Sequence, residues 1–211
     1  MDIASLTELG IGMLKSILIF ILTLVWSLPL GLLVYGGRVS RFLPLHWITQ
    51  VYISIMRGTP LILQLMVVYF GPYYLFGIQI SASYRFYAVI IAFSINYAAY
   101  FAEIYRGGFQ AIPTGQREAA FVLGYSRART FLTIELPQMF RTVLPSITNV
   151  KDTSLAFGIA YMEMFTIAKQ IASAQASMAP LMAAGIFYYV FNTVVAVVMD
   201  RLERLLSAYK I

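Results

Sequence analysis

Apolar runs close to twenty residues long, separated by short loops that carry most of the arginines, dominate this sequence. A helix rising about 1.5 Å per residue needs about 20 such residues to cross a hydrocarbon core of about 30 Å. The pattern predicts an all-α transmembrane protein. Hydrophobic residues make up 60% of the 211 positions, charged residues 11%, and mean hydropathy is +0.78. That balance leaves no stretch for a sizeable soluble domain, so a single transmembrane domain over 1–211 is expected.

Five helices are expected, over about 11–36, 60–76, 86–108, 139–170 and 180–206. The first run is longer than the roughly 7–15 residues of a secretory signal, and no small-x-small cleavage site precedes the basic loop 36–41. It reads as a retained span. Residues 47–56 form an aromatic lead-in, and Arg57-Gly58-Thr59-Pro60 punctuates it, with proline tolerated at a helix start because the N–H it lacks would be unpaired there. The fourth run is interrupted by Pro145, Asn149, Lys151, Asp152 and Gly158.

Arginine and lysine near helix ends set the orientation. Arg38 and Arg41 follow the first run; Arg106, Arg117, Arg127, Arg129 and Arg141 lie between the third and fourth; Arg201, Arg204 and Lys210 follow the fifth. The opposite loops hold Arg85 and Lys169, and Lys15 lies near the start of the first run. The amino terminus is expected outside and the carboxyl terminus in the cytoplasm. Anionic headgroups account for the net charge of +6, so no nucleic acid is implied. Cysteine is absent and His46 is the single histidine, which leaves no zinc-type ligand set and makes His46 an interfacial residue. Ten methionines serve packing, and Tyr69, Tyr73, Tyr74, Tyr84 and Tyr87 suit an interfacial belt.

The longest polar interruption, residues 115–137, falls on the cytoplasmic side in this topology. Ala119, Ala120 and Leu123 alternate with Arg117, Glu118 and Arg127 as on a short amphipathic helix, and Gly124 is placed to end it in a left-handed cap. Composition alone would equally suit a helix resting on headgroups. The spacing is more specific: Glu118-Ala119-Ala120, three residues, Gly124, nine residues, Ile134, one residue, Leu136-Pro137. This resembles the EAA motif of permease subunits of ATP-binding-cassette importers, with every signature position filled.

Other segments resemble the polar amino-acid branch (histidine, glutamine, arginine, cystine type) of that family: Arg57-Gly-Thr-Pro-Leu-Ile-Leu-Gln64-Leu, Glu103-Ile-Tyr-Arg106-Gly-Gly, Ile112-Pro113-x-Gly115-Gln116 and Lys151-Asp152-Thr153-Ser154-Leu155. Most of 38–170 is covered. One departure follows Leu155, where Glu163 stays in register but the arginine that ends the segment in many relatives is missing. The resemblance implies a five-helix type I importer permease in the bacterial plasma (inner) membrane. It also implies that residues 115–137 form a coupling helix seated on a separate ATPase, with Glu118, Ala119, Ala120, Gly124, Ile134, Leu136 and Pro137 making that connection.

Partners are implied too: two ATPase subunits that bind ATP and magnesium, a second copy or a similar permease, an external solute-binding protein, lipid, and an amino acid as cargo. The chain has no G-x-x-x-x-G-K-[ST], and none of its 14 glycines precedes lysine, so nucleotide phosphates have no loop here. It is not expected to be an enzyme.

The expected cargo site rests on depth. Asn96 lies roughly 15 Å into the third run and Asp152 roughly 20 Å into the fourth. A zwitterion needs acceptors, Asp152 or Glu163, and donors, among Gln64, Asn96, Thr153, Ser154 and exposed helix N–H groups. Glu163, eleven residues after Asp152, shares its face if the helix is continuous, which Gly158 could prevent. Plainer roles stand beside these: Gln64 as interhelical glue, Glu103 pairing with Arg106, Lys151 and Asp152 in structural ion pairs. A self-sufficient secondary transporter or channel would tolerate the same midplane charges, but not the complete EAA spacing. A membrane enzyme has no nucleophile–base or metal motif in its favour.

Overall fold

A computed structural model describes residues 2–147 and 152–207; Asn149, Lys151 and Lys210 lie outside them, as does the side chain of Arg141. Helix α1 (Ile3–Arg38) starts at Asp2, whose carboxylate accepts a hydrogen bond from the Ser5 amide at 3.1 Å. Hydrogen bonding from Ser5 holds that carboxyl below its ordinary value. The helix thus begins at residue 3 rather than about 11, because a satisfied N-cap lets the polar first turns join the apolar run.

The aromatic lead-in is itself a helix, α2 (Leu43–Gly58), with Pro44 in its first turn; α3 (Leu61–Phe76) follows. Between them Thr59 and Pro60 are extended and the axes bend by 110°. Pro60 has no N–H to continue the α2 ladder and pushes Thr59 out of the helical region. The proline therefore caps α3 rather than opening its first turn. Hydrogen bonds from Arg38 to His46 Nε2 (2.9 Å) and between His46 Nδ1 and the Arg38 carbonyl (2.7 Å) hold α2 beneath the end of α1.

Helix α4 (Tyr84–Gln110) is the centre of the bundle, and two thirds of its most apolar stretch (67%) is buried. Ala88, Ala92, Phe93, Tyr97, Phe101 and Tyr105 recur at helical spacing on its inner face. Helices α1 and α4 run in the same direction, since Arg38 near the end of one reaches Glu103 near the end of the other at 3.8 Å. They touch closely at Gly31, where an added Cβ would lie 2.8 Å from Phe101 Cβ, so only glycine fits.

After α4 come α5 (Thr114–Val122), α6 (Arg127–Thr130), a five-residue π-helical turn (Phe131–Glu135) and α7 (Leu136–Ile147). The expected helix over 139–170 is not continuous. It is divided into the end of α7, a 3-10 segment (Asp152–Ile159) and α8 (Met164–Ala174). Gly158 does not make the break, because it sits inside the 3-10 segment against Ile62. The chain turns at Ala160, whose φ is +52°, and restarts where Glu163 caps α8. Local capping outcompetes continuation of the apolar pattern.

Helix α9 (Ala179–Ser207) lies along the outside, with 6% of its apolar stretch buried. Among the described residues there is no strand. Three helices, α1, α4 and α9, are each long and apolar enough to cross a membrane, and the bent pair α2–α3 makes a fourth if it is one span.

Candidate substrate cavity and coupling segment

The break between α2 and α3 opens a cavity of about 370 Å³ in the middle of the bundle. Thr59, Pro60 and Leu61 form one wall, Asn96, Tyr97 and Tyr100 from α4 a second, and Ser146, Asp152 and Leu155 a third. Asp152 opens the 3-10 segment and accepts a 2.6 Å hydrogen bond from the Tyr97 hydroxyl. Asn96 and Asp152, expected on sequence grounds to meet cargo, therefore do share one cavity.

The other expected residues are placed differently. Asn96 uses both amide protons within the fold, donating to the Met56 carbonyl and to Gln64 Oε1, each at 2.9 Å. Gln64 stands behind Asn96, its own amide nitrogen directed at the Met56 carbonyl and at the carbonyl and hydroxyl of Thr59. These bonds satisfy the carbonyls that the broken helix leaves without partners. Thr153 is buried and hydrogen bonded to Tyr188, and Ser154 is half-buried away from the cavity.

Glu163 does not share a helix face with Asp152 and does not reach the cavity. It is completely buried, and its oxygens accept from the Phe165 amide (2.8 Å), the Thr166 amide (2.7 Å), the Thr166 hydroxyl (2.8 Å) and the Tyr188 hydroxyl (2.9 Å). Ser16 of α1 adds a longer bond at 3.3 Å. A buried carboxylate needs such company, and here it joins α1, α8 and α9.

The sequence spacing sets Tyr100 on one helix face with Asn96 and Glu103, but neither it nor Tyr97 was expected among the cargo-binding residues. Their position beside Asn96, one residue and one turn along the same helix, was the available signal. Glu103 pairs with Arg106 at 2.8 Å as expected, and Arg38 and Arg57 also approach it, at 3.8 and 4.0 Å.

At the far end of α4, Pro113 precedes α5 and Gly124 ends it at φ +75°. The Tyr125 amide bonds to the Ala120 carbonyl and the Gly124 amide to the Phe121 carbonyl, both at 2.9 Å, which is the paired closure of a Schellman turn. Ser126 then caps α6. Helix α5 is pinned to the bundle by the Arg117–Glu135 ion pair, by a bond from Arg117 to the Phe109 carbonyl (3.2 Å) and by one from Gln138 to Gln116 (2.6 Å). Ala120 is buried against the bundle, whereas Glu118 and Ala119 are exposed.

Leu123, like Ala119, does not share the buried face of Ala120, although the sequence pattern groups the three. With Phe121 and Val122 it is exposed, at 81, 84 and 73% for residues 121 to 123. The turn at Gly124 takes position 123 off the stripe that Ala120 buries. The expected helix start at about 139 also differs, because Pro137 already lies within a helix. The chain is helical from Arg127 onward, and the Leu136 amide reaches back five residues to the Phe131 carbonyl. Pro137 has no N–H for the Thr133 carbonyl, and the wide π turn accommodates that missing bond. Ile134 lies within the π turn and Leu136 opens α7. Tyr35, Phe109 and Phe131 stack with ring centroids 4.9 and 5.4 Å apart, joining this segment to α1 and α4.

Helices long and apolar enough to cross a membrane thus surround a cavity lined in part by Asn96, Tyr97 and Asp152, and a capped helix is pinned beyond the end of α4. The chain belongs to the family of binding-protein-dependent transport system inner membrane components, which it matches over residues 27–208. It is 36% identical to the arginine transport system permease protein ArtQ of Bacillus subtilis, covering 93% of this chain and 91% of that protein. It is 33% identical to the L-cystine transport system permease protein TcyB of the same organism, covering 94% and 86%. The solved structure of an amino acid ABC transporter with histidines superposes with a TM-score of 0.83 at 28% identity, covering 97% of this chain and 98% of that one. The protein is an ABC-type permease, multi-pass in the bacterial inner membrane.

Proposed function

We propose that this chain is the translocation subunit of an ATP-driven amino-acid importer and that residues 115–137 are its coupling segment. One observation carries the reading: Phe121, Val122 and Leu123 form an exposed apolar tip on a helix that is pinned to the ends of α4 and α7. Burying three such side chains in a partner is worth on the order of 5 kcal/mol, enough to seat the helix firmly. Motion of that partner then passes through Arg117, Glu135 and the Phe109–Phe131 stack into α4 and α7, which carry Asn96, Tyr97 and Ser146 of the cavity. The partner is an ATPase subunit, two per transporter, and it supplies the ATP and magnesium sites.

In this reading α1, α4 and α9 cross from outside to cytoplasm, and the pairs α2–α3 and α7–α8 cross back. That gives five crossings within one domain, an external amino terminus and a cytoplasmic coupling helix. A second copy or a similar permease completes the path, and a binding protein delivers cargo from outside. The cavity volume of about 370 Å³ lies in the range for small-molecule sites, and Asp152 is its acceptor for a cargo ammonium. The names of the relatives, arginine and cystine permeases, support an amino acid as cargo.

The test is reconstitution of the permease with its co-purifying ATPase and the binding protein in lipid nanodiscs and proteoliposomes. ATP hydrolysis stimulated by one class of amino acid, with uptake that stops without ATP, is expected. Uptake that proceeds without an ATPase partner would overturn the proposal in favour of a secondary transporter.

A further inference from the structure

An amino acid in the cavity presents a carboxylate as well as an ammonium, and the two side-chain amides expected to donate to it, Asn96 and Gln64, are already engaged. Both amide protons of Asn96 go to Met56 and Gln64, and the Gln64 amide goes to Met56 and Thr59. The Thr59 hydroxyl donates to the Ile55 carbonyl. Asn96, Gln64 and Thr59 therefore leave a carboxylate without the charged partner that its burial calls for.

One cation lies just behind the cavity wall, packed on Tyr100, which lines it. Arg57, the last residue but one of α2, lies over the ring of Tyr100 with its guanidinium carbon 5.5 Å from the ring centre. Among the described residues its ionic partner is Glu103, at a loose 4.0 Å, and Glu103 is held more tightly by Arg106 at 2.8 Å. Its five N–H donors are thus largely free. Pro60 and Leu61, three and four residues on, place the start of α3 in the wall itself, so the positive end of a 16-residue helix faces the cavity. Across the cavity Asp152 is the acceptor, beside Tyr97, whose ring centre is 6.2 Å from that of Tyr100.

We propose that Arg57, together with the first turn of α3, binds the α-carboxylate of the cargo while Asp152 holds its ammonium. The site then selects zwitterions with a free carboxylate, whatever the side chain, and Glu103 keeps Arg57 in position between cargoes. This rests on the amino-acid reading above and assigns the second half of its site.

Equilibrium binding to the purified permease–ATPase complex, without the binding protein, tests it with a panel of radiolabelled L-amino acids. The tightest binder is then compared with its α-carboxamide. Wild type is expected to favour the acid about tenfold or more, the worth of one charge-assisted bond. Arg57→Gln should close that gap by weakening the acid alone, and Arg57→Lys should retain part of it. An unchanged gap in Arg57→Gln, or equal weakening of both ligands, overturns the assignment. If Arg57→Gln does not assemble, Arg57→Lys decides: a narrowed gap supports the assignment and an unchanged one refutes it. A wild-type complex that binds no amino acid removes the amino-acid reading itself and this inference with it.

Discussion

The proposed coupling segment, residues 115–137, and the cavity are built on different length scales. In the segment the bonds are short in sequence: Tyr125 to Ala120, Gly124 to Phe121, Arg129 to Ser126, and at most Gln138 to Gln116, twenty-two residues apart. In the cavity they are long: Asn96 to Met56 spans forty residues and Tyr97 to Asp152 fifty-five, while the neighbouring Glu163 network reaches Ser16 across 147. A locally specified element can change without melting the bundle, whereas groups joined over such distances are part of its stability. The segment is thereby suited to meeting a partner, and the cavity is fixed by the same bonds that hold the helices together.

Replacing Glu163 should break the long-range side of this contrast most severely. Glu163→Ala leaves the Phe165 and Thr166 amides and the Tyr188 hydroxyl without their acceptor in a buried site, a loss of about 3 kcal/mol or more. Thermal unfolding of the purified complex should shift down clearly; an unchanged midpoint would mean the network is not structural.

Gly124→Val probes the local side. A β-branched residue at φ +75° is strained by about 1–3 kcal/mol, so the turn after Leu123 should rearrange while the bundle persists. Uptake per ATP hydrolysed should fall several-fold with little change in unfolding temperature. Normal coupling in this variant would separate the segment from energy transfer.

Asp152→Asn keeps the size and the Tyr97 bond but removes the charge. Uptake should drop about tenfold through weaker cargo binding, in line with loss of one charge-assisted bond, and stability should change little. An equal loss of stability would place Asp152 with Glu163, as structure rather than site.

The smallest effect belongs to Arg117→Ala. Its pair with Glu135 is half exposed on the arginine side, so the loss should be about 1 kcal/mol, visible as faster hydrogen exchange confined to α5. Exchange that spreads into α4 would show the two regions to be less separate than their bonding suggests.

What the sequence determined by itself follows the same division. Apolar length specified a helical membrane protein, and the Glu118-Ala-Ala…Gly124 spacing marked the turn that Gly124 makes at φ +75°, because both depend on residues within a few turns of one another. Polar residues at depth pointed to Asn96 and Asp152, which do share a cavity. Only the tertiary structure decided that the axes of α2 and α3 bend by 110° at Thr59–Pro60, and that Glu163 caps α8 instead of lining the cavity. Only it showed that Asn96 and Gln64 have no proton left to donate. Periodicity records which face of a helix is apolar. It does not record which carbonyls a break elsewhere leaves unpaired, and those carbonyls are what the buried polar side chains of this protein satisfy.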